Sequence, residues 1–153
     1  MARTEASLRA ESLLRDVLGT EAGRARLSVV SNSMTPRILQ GDEIEIARVS
    51  PRRLMPGDVL VFRSEAAGLV VHRLIWREPP LGEPLRIITK GDALDRLDRA
   101  AEAKTVLGRV VCIRRGGGSV RPTTLTDRLR CLRQAAGYGL RRWARRRLTR
   151  EQR

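Results

Sequence analysis

Apolar positions recur along this chain at two different periods. Residues 5 to 18, EASLRAESLLRDVL, place Ala10, Leu13, Leu14, Val17 and Leu18 on one stripe at helical spacing, and Gly19 follows as a natural stop. The expectation is a short amino-terminal helix that docks by that stripe. From about residue 27 the period shortens. EIEIA, DVLVF, GLVVHRLIW, LRIIT and TVLGRVVCI are short runs rich in β-branched residues, punctuated by Pro-Gly-Asp, Pro-Pro, Lys-Gly-Asp and glycine-rich stretches. They predict a mainly β body over 27–115. After Gly116-Gly117-Gly118, read as a hinge, the helical period returns: Leu125, Leu129, Leu132, Ala136, Leu140 and Trp143 fall at steps of three and four, with arginines over the rest of the surface. Gly137 and Gly139 weaken that helix by about 1 kcal/mol each. The expected organisation is therefore 1–26 helical, 27–115 a β domain, and 116–153 a glycine hinge followed by an arginine-rich amphipathic helix.

Charge changes the picture chiefly at the carboxyl end. Of a formal net charge of +14 over 153 residues, +9 falls between 116 and 153, where eleven arginines face only Asp127 and Glu151. Two readings of that helix stay open: its stripe packs on its own domain, or it lies on an anionic membrane surface through residues 125–150. Nucleic acid is not the expected partner, because there is no zinc-ligand spacing, RNA-sheet aromatic motif or P-loop. Cys112 and Cys131 form neither a C-x-x-C pair nor a disulfide framework and read as packed thiols that leave the compartment open. No stretch reaches the roughly 18 uncharged apolar residues of a spanning helix, and Glu5, Glu11 and Asp16 interrupt any signal-peptide pattern. With one histidine and scattered carboxylates, no metal or other cofactor is expected.

The candidate chemistry lies in SVVSNSMTPRILQGDEIEI, residues 28 to 46, where two serines stand two apart amid turn-forming residues. A serine hydroxyl is a weak nucleophile unless a base lies within hydrogen-bond reach and a third group orients that base. The sole histidine, His72, sits in GLVVHRLI, where alternation puts it on the face of Val70 and Leu74, opposite Val71, Arg73 and Ile75. Gly41-Asp42 and Pro56-Gly57-Asp58 read as turn formers, glycine supplying positive φ and aspartate bonding its own backbone. Asp92 of Lys90-Gly91-Asp92 is open to the same reading.

Taken in order, SNSMTPRILQGDEIEI, PGDVLVF, VVHRLI and ITKGDALDRLD resemble the signal peptidase I family, over roughly residues 28 to 113. The likeness is to its archaeal and endoplasmic-reticulum branch, in which histidine replaces the lysine base. The resemblance implies an antiparallel β scaffold and a serine endopeptidase that cuts extended precursor or leader peptides after small residues. It implies Ser33 as nucleophile and His72 as general base. Asp98 is the first choice for the carboxylate orienting the histidine, with Asp92 and Asp95 as the other acids in reach. It further implies that the oxyanion is met by the backbone N–H of Ser33 and the hydroxyl of Ser31.

Two departures bear on that expectation. Asn32 stands where family members have glycine, and asparagine tolerates a left-handed backbone better than other side chains. No anchor sequence accompanies the catalytic boxes, so the expectation is either attachment through the arginine-rich helix, the protein being peripheral or cytoplasmic, or a substrate that is not a conventional secretory precursor. The other readings are a self-cleaving-repressor-like peptidase, which would use a lysine, and a non-catalytic peptide-binding or membrane-adaptor module.

Overall fold

The computed structural model of the protein describes residues 23–64, 66–78 and 84–151, and side chains as far as Arg141. The helix expected over residues 5 to 18 lies outside them. The rest is mainly β, as its alternation requires: one antiparallel sheet of eight strands and a carboxyl-terminal helix. The strands are β1 (Arg24–Ser28), β2 (Glu43–Ala47), β3 (Val59–Ser64), β4 (Gly68–Arg77), β5 (Arg86–Lys90), β6 (Ala101–Glu102), β7 (Val106–Arg115) and β8 (Gly118–Val120), and the helix is α1 (Leu125–Glu151). Along the sheet the order is β1-β2-β7-β3-β4-β5-β6, with β8 paired to β7.

The centre of the sheet is buried on both faces, which explains why β3 reads as the unbroken apolar run VLVF. Its alternate side chains enter two separate cores. Val59 and Val61 join Met34, Ile38, Ile44, Ile46, Val110 and Ile113 on one face. Leu60 and Phe62 join Leu54, Leu74, Ile87 and Ala103 on the other. In β4, Val71 packs against the first core and Val70 and Leu74 belong to the second, matching the alternation read from the sequence.

Three elements differ from expectation. The sheet starts at Arg24, because RARLS pairs in full with β2 despite its two exposed arginines. The glycine run at 116–118 is the turn of a hairpin: Gly116 and Gly117 have φ of +55° and +80°, and β8 returns along β7 with Ile113 opposite Val120. The sheet therefore continues past residue 115 and the helix follows a paired strand. In β4 the register slips between Leu74 and Trp76. That bulge re-aims Trp76, which alternation would have placed beside Leu74, towards α1, where its ring meets Tyr138 at 6.1 Å.

The helix sits on the sheet by a face that adjoins its leucine stripe, its centre about 100° round the helix from that of the stripe. Cys131 and Ala135 are buried, and a Cβ at Gly139 would lie 2.9 Å from the Trp76 ring. Its first turn is capped reciprocally: the Thr124 hydroxyl accepts from the Asp127 N–H at 3.2 Å, and the Asp127 carboxylate accepts from the Thr124 N–H at 2.8 Å. Asp127 also receives Arg37 at 3.1 Å, tying the helix to the loop that holds the paired serines.

Candidate active site

The loop between β1 and β2 carries Ser31 and Ser33 and is braced throughout. Its mouth is closed by Val29 N–H to Asp42 O at 2.9 Å and Gly41 N–H to Val29 O at 2.8 Å. Gly41 has a φ of +91°, which an L side chain adopts only with strain. Below the loop, Met34 and Ile38 are fully buried and joined by Ile38 N–H to Met34 O at 3.0 Å. Ser33 is thus held at the rim by a neighbour locked in the core. Its hydroxyl lies 3.3 Å from that of Ser31. Asn32 does not use the left-handed backbone expected of it, since no non-glycine residue among those described has positive φ. Instead its side-chain amide closes the loop across to Gln40, accepting from the Gln40 N–H and donating to its side-chain oxygen, both at 3.3 Å.

Asp42 and Asp58 fulfil the turn-forming expectation. Each accepts a backbone N–H three residues earlier, from Leu39 at 2.8 Å and Met55 at 3.0 Å. Each is also paired with arginine: Asp42 with Arg115, Asp58 with Arg109 and Arg128. The bonds from Arg115 hold the Asp42 carboxyl below its ordinary pKa.

Asp92 behaves differently from both. Its two oxygens face the buried guanidinium of Arg73 at 2.8 and 2.6 Å, a bidentate pair. Arg73 also donates to Gly57 O at 3.0 Å, to the Thr123 hydroxyl at 3.1 Å and to Pro122 O at 3.3 Å. Burial alone would lower the pKa of this guanidinium; its bonds to Asp92 more than reverse that. Asp92 is therefore a partner of Arg73 rather than of the imidazole, and Asp95 is exposed.

The carboxylate that meets the imidazole is Asp98. His72 Nδ1 lies 2.6 Å from Asp98 Oδ2, and the Thr89 hydroxyl donates to the same oxygen at 2.6 Å. The backbone of Asp98 is fixed too, its N–H donating to Thr89 O at 2.8 Å. A carboxylate only accepts, so Nδ1 carries a proton, and in the neutral ring it is Nε2 that holds the lone pair. Burial would raise the Asp98 carboxyl, but the hydrogen bonds from His72 and Thr89 hold it below the ordinary aspartate value. His72 is itself buried and rests edge-on against Phe62, ring centres 6.4 Å apart. Thr89 is the member of this group that the linear reading missed; the cross-strand pairing of Thr89 with Leu74 is what brings it there.

The serine loop docks at the same end of the β4–β5 ladder. Ser33 O accepts from Ala93 N–H at 3.0 Å, and a Cβ at Gly91 would lie 2.7 Å from that oxygen. Only glycine permits this approach. The ladder pairs Arg73 with Lys90, so one further step along each strand leads to His72 and Gly91. The loop and the Thr-Lys-Gly-Asp turn thus meet at one place beside the histidine strand, where the Ser33 hydroxyl bonds that of Ser31 and the imidazole bonds Asp98. Val30, Leu94 and Leu97 give it an exposed apolar rim.

Among the described residues no cluster of histidine, cysteine and carboxylate side chains could hold a metal ion, and no helix is long and apolar enough to cross a membrane. Both cysteines are free thiols, Cys131 buried on the sheet-facing side of α1 and Cys112 half-buried in β7. Compared with protein-family models and with curated proteins, the chain matches none.

Proposed function

We propose that this protein is a serine endopeptidase of the signal peptidase I type, cutting precursor or leader peptides after small residues through Ser33, His72 and Asp98. The observation that supports it best is the pairing of the chain's only imidazole with Asp98 at 2.6 Å. A histidine kept merely for packing has no need of a carboxylate that is itself fixed by Thr89 and by its own backbone.

In this reading Ser33 Oγ attacks the scissile carbonyl carbon while His72 Nε2 takes its proton. The carbonyl π electrons move to oxygen, where the Ser33 N–H and the Ser31 hydroxyl receive the developing charge. Collapse of the tetrahedral intermediate breaks the C–N bond, and His72 returns the proton to the leaving amine. Water, deprotonated by the same nitrogen, then hydrolyses the acyl-enzyme. Asp98 keeps the imidazole in the required tautomer and stabilises its cation. The apolar rim of Val30, Leu94 and Leu97 offers an uncharged surface to an extended peptide.

The test is cleavage of a peptide containing Ala-x-Ala by the purified chain and its variants. Ser33→Ala and His72→Ala are expected to lower kcat by about 10^3-fold or more. Ser31→Ala is expected to lower it about 10^2- to 10^3-fold with the fold retained. If the unaltered chain and Ser33→Ala cleave equally, or neither cleaves, the peptidase reading fails; activity that survives loss of His72 points instead to a lysine-dependent enzyme.

A further inference from the structure

The sequence gives α1 a strongly apolar stripe, yet the fold does not bury it. The sheet is covered instead by Cys131, Ala135, Tyr138 and Gly139, small or aromatic residues that let the helix approach Trp76 closely. Leu125, Leu129, Leu132 and Leu140 are left 75%, 54%, 51% and 67% exposed, and Ala136 between them is exposed as well. At about 100° per residue these five positions span an arc of roughly 80°, and at about 1.5 Å per residue a length near 22 Å. Trp143 continues the same spacing.

The charges around this stripe are of one sign. Arg130 and Arg133 are exposed and meet no carboxylate among the described residues. Arg141, Arg142, Arg145, Arg146, Arg147 and Arg150 follow in the sequence. Asp127 is committed to Thr124 and Arg37, so no acidic side chain of the helix before Glu151 is left to oppose the arginines. A surface complementary to this face must be both anionic and apolar beneath its charge.

We infer that the outward face of α1 is a docking surface for an anionic lipid bilayer, the leucines entering the acyl boundary and the arginines meeting the headgroups. A second copy of the chain is disfavoured, since it would bring two tails of like charge together. Nucleic acid would engage the arginines and leave the leucines in water. The helix is clamped to the body by Arg37–Asp127, by Arg128–Asp58 and by the bonds from Arg73 to Thr123 and Pro122. Lipid contact through α1 therefore holds the body and its serine loop at the bilayer surface in one orientation.

The experiment is co-sedimentation of the full chain with vesicles of phosphatidylcholine, with and without phosphatidylglycerol. Binding is expected only with phosphatidylglycerol and is expected to weaken as salt rises. Leu129→Gln with Leu132→Gln keeps both the charge and good helix formers, and is expected to weaken binding by about tenfold or more with the thermal midpoint unchanged. The inference is overturned by no binding to either vesicle, by binding that the double substitution leaves intact, or by loss of the exposed leucines into a stable dimer seen by sedimentation. Tighter, leucine-independent binding to duplex DNA than to vesicles likewise overturns it. Ser33→Ala is expected to bind vesicles like the unaltered chain, so this result and the cleavage assay stand or fall separately.

Discussion

His72 and Thr89 converge on a single oxygen of Asp98, and that convergence governs how the site answers to pH. Despite its burial, the Asp98 carboxyl lies below its ordinary pKa because of these two donors. A depressed carboxylate stabilises the folded state in full above the unfolded pKa, and the contribution is lost as pH falls through the lower folded value. Urea unfolding across the acid range is thus expected to show stability falling as pH drops through that window, with a shallower slope in Asp98→Asn. An identical slope in the two proteins would show the pair to be idle. In the cleavage assay Asp98→Asn is expected to lower kcat by about 10^3- to 10^4-fold, because the imidazole loses its tautomer control. At this scale the serines and His72 were readable as candidates from residue type and spacing. The choice among Asp92, Asp95 and Asp98 was not readable from type and spacing, because three carboxylates within seven residues of one loop differ only in where that loop points them; it was the family resemblance that put Asp98 first.

Elements were legible where one period dominated. EIEIA became β2 at the expected positions, and the long runs around His72 and Cys112 became β4 and β7. Very short strands such as Ala101–Glu102 carry too few residues for a pattern and exist through pairing with β5. The helix α1 was expected from its leucines, but which face it buries depends on the shape of the sheet beneath it. Trp76, turned by the β4 bulge, leaves room only for glycine at position 139, and Cys131 and Ala135 are buried on the same face of the helix. Thr124-Leu125-Thr126-Asp127 is a capping box that the sequence displays openly. Asp127→Ala removes both that cap and the tie to Arg37, and is expected to cost about 1–2 kcal/mol in urea unfolding followed by circular dichroism. An unchanged midpoint would mean the cap contributes nothing to this helix.

Across the whole molecule, Arg73 is where the parts join. One guanidinium, next in sequence to His72, holds the turn of Asp92, the turn of Gly57 and the segment leading into α1. Arg73→Met leaves Asp92 without its cation and removes one donor each from Gly57 O, the Thr123 hydroxyl and Pro122 O, of which Gly57 O still accepts from Thr123. The expected loss is about 3 kcal/mol or more, a fall in thermal midpoint of roughly 6–12 °C. Arg73→Lys is expected to rescue little, since an ammonium lacks the planar fork that meets two carboxylate oxygens while reaching two other segments. A scanning-calorimetry midpoint that moves by less than a degree in Arg73→Met would contradict this account.

The linear pattern settled the fold class, the central strands, the existence of the basic helix and the types of residue able to do hydrolytic chemistry. Those depend on neighbours one to four positions apart, and local alternation and spacing express them directly. Tertiary contacts alone decided that Asp98 meets His72 while Asp92 meets Arg73, that the glycine run closes a hairpin, and that the leucine stripe faces solvent. The carboxylate pairings and the facing of the stripe are competitions between groups tens of residues apart for one partner or one surface, and the hairpin, though local, competes with a simple linker; each result is set by distances that exist only after the sheet has formed.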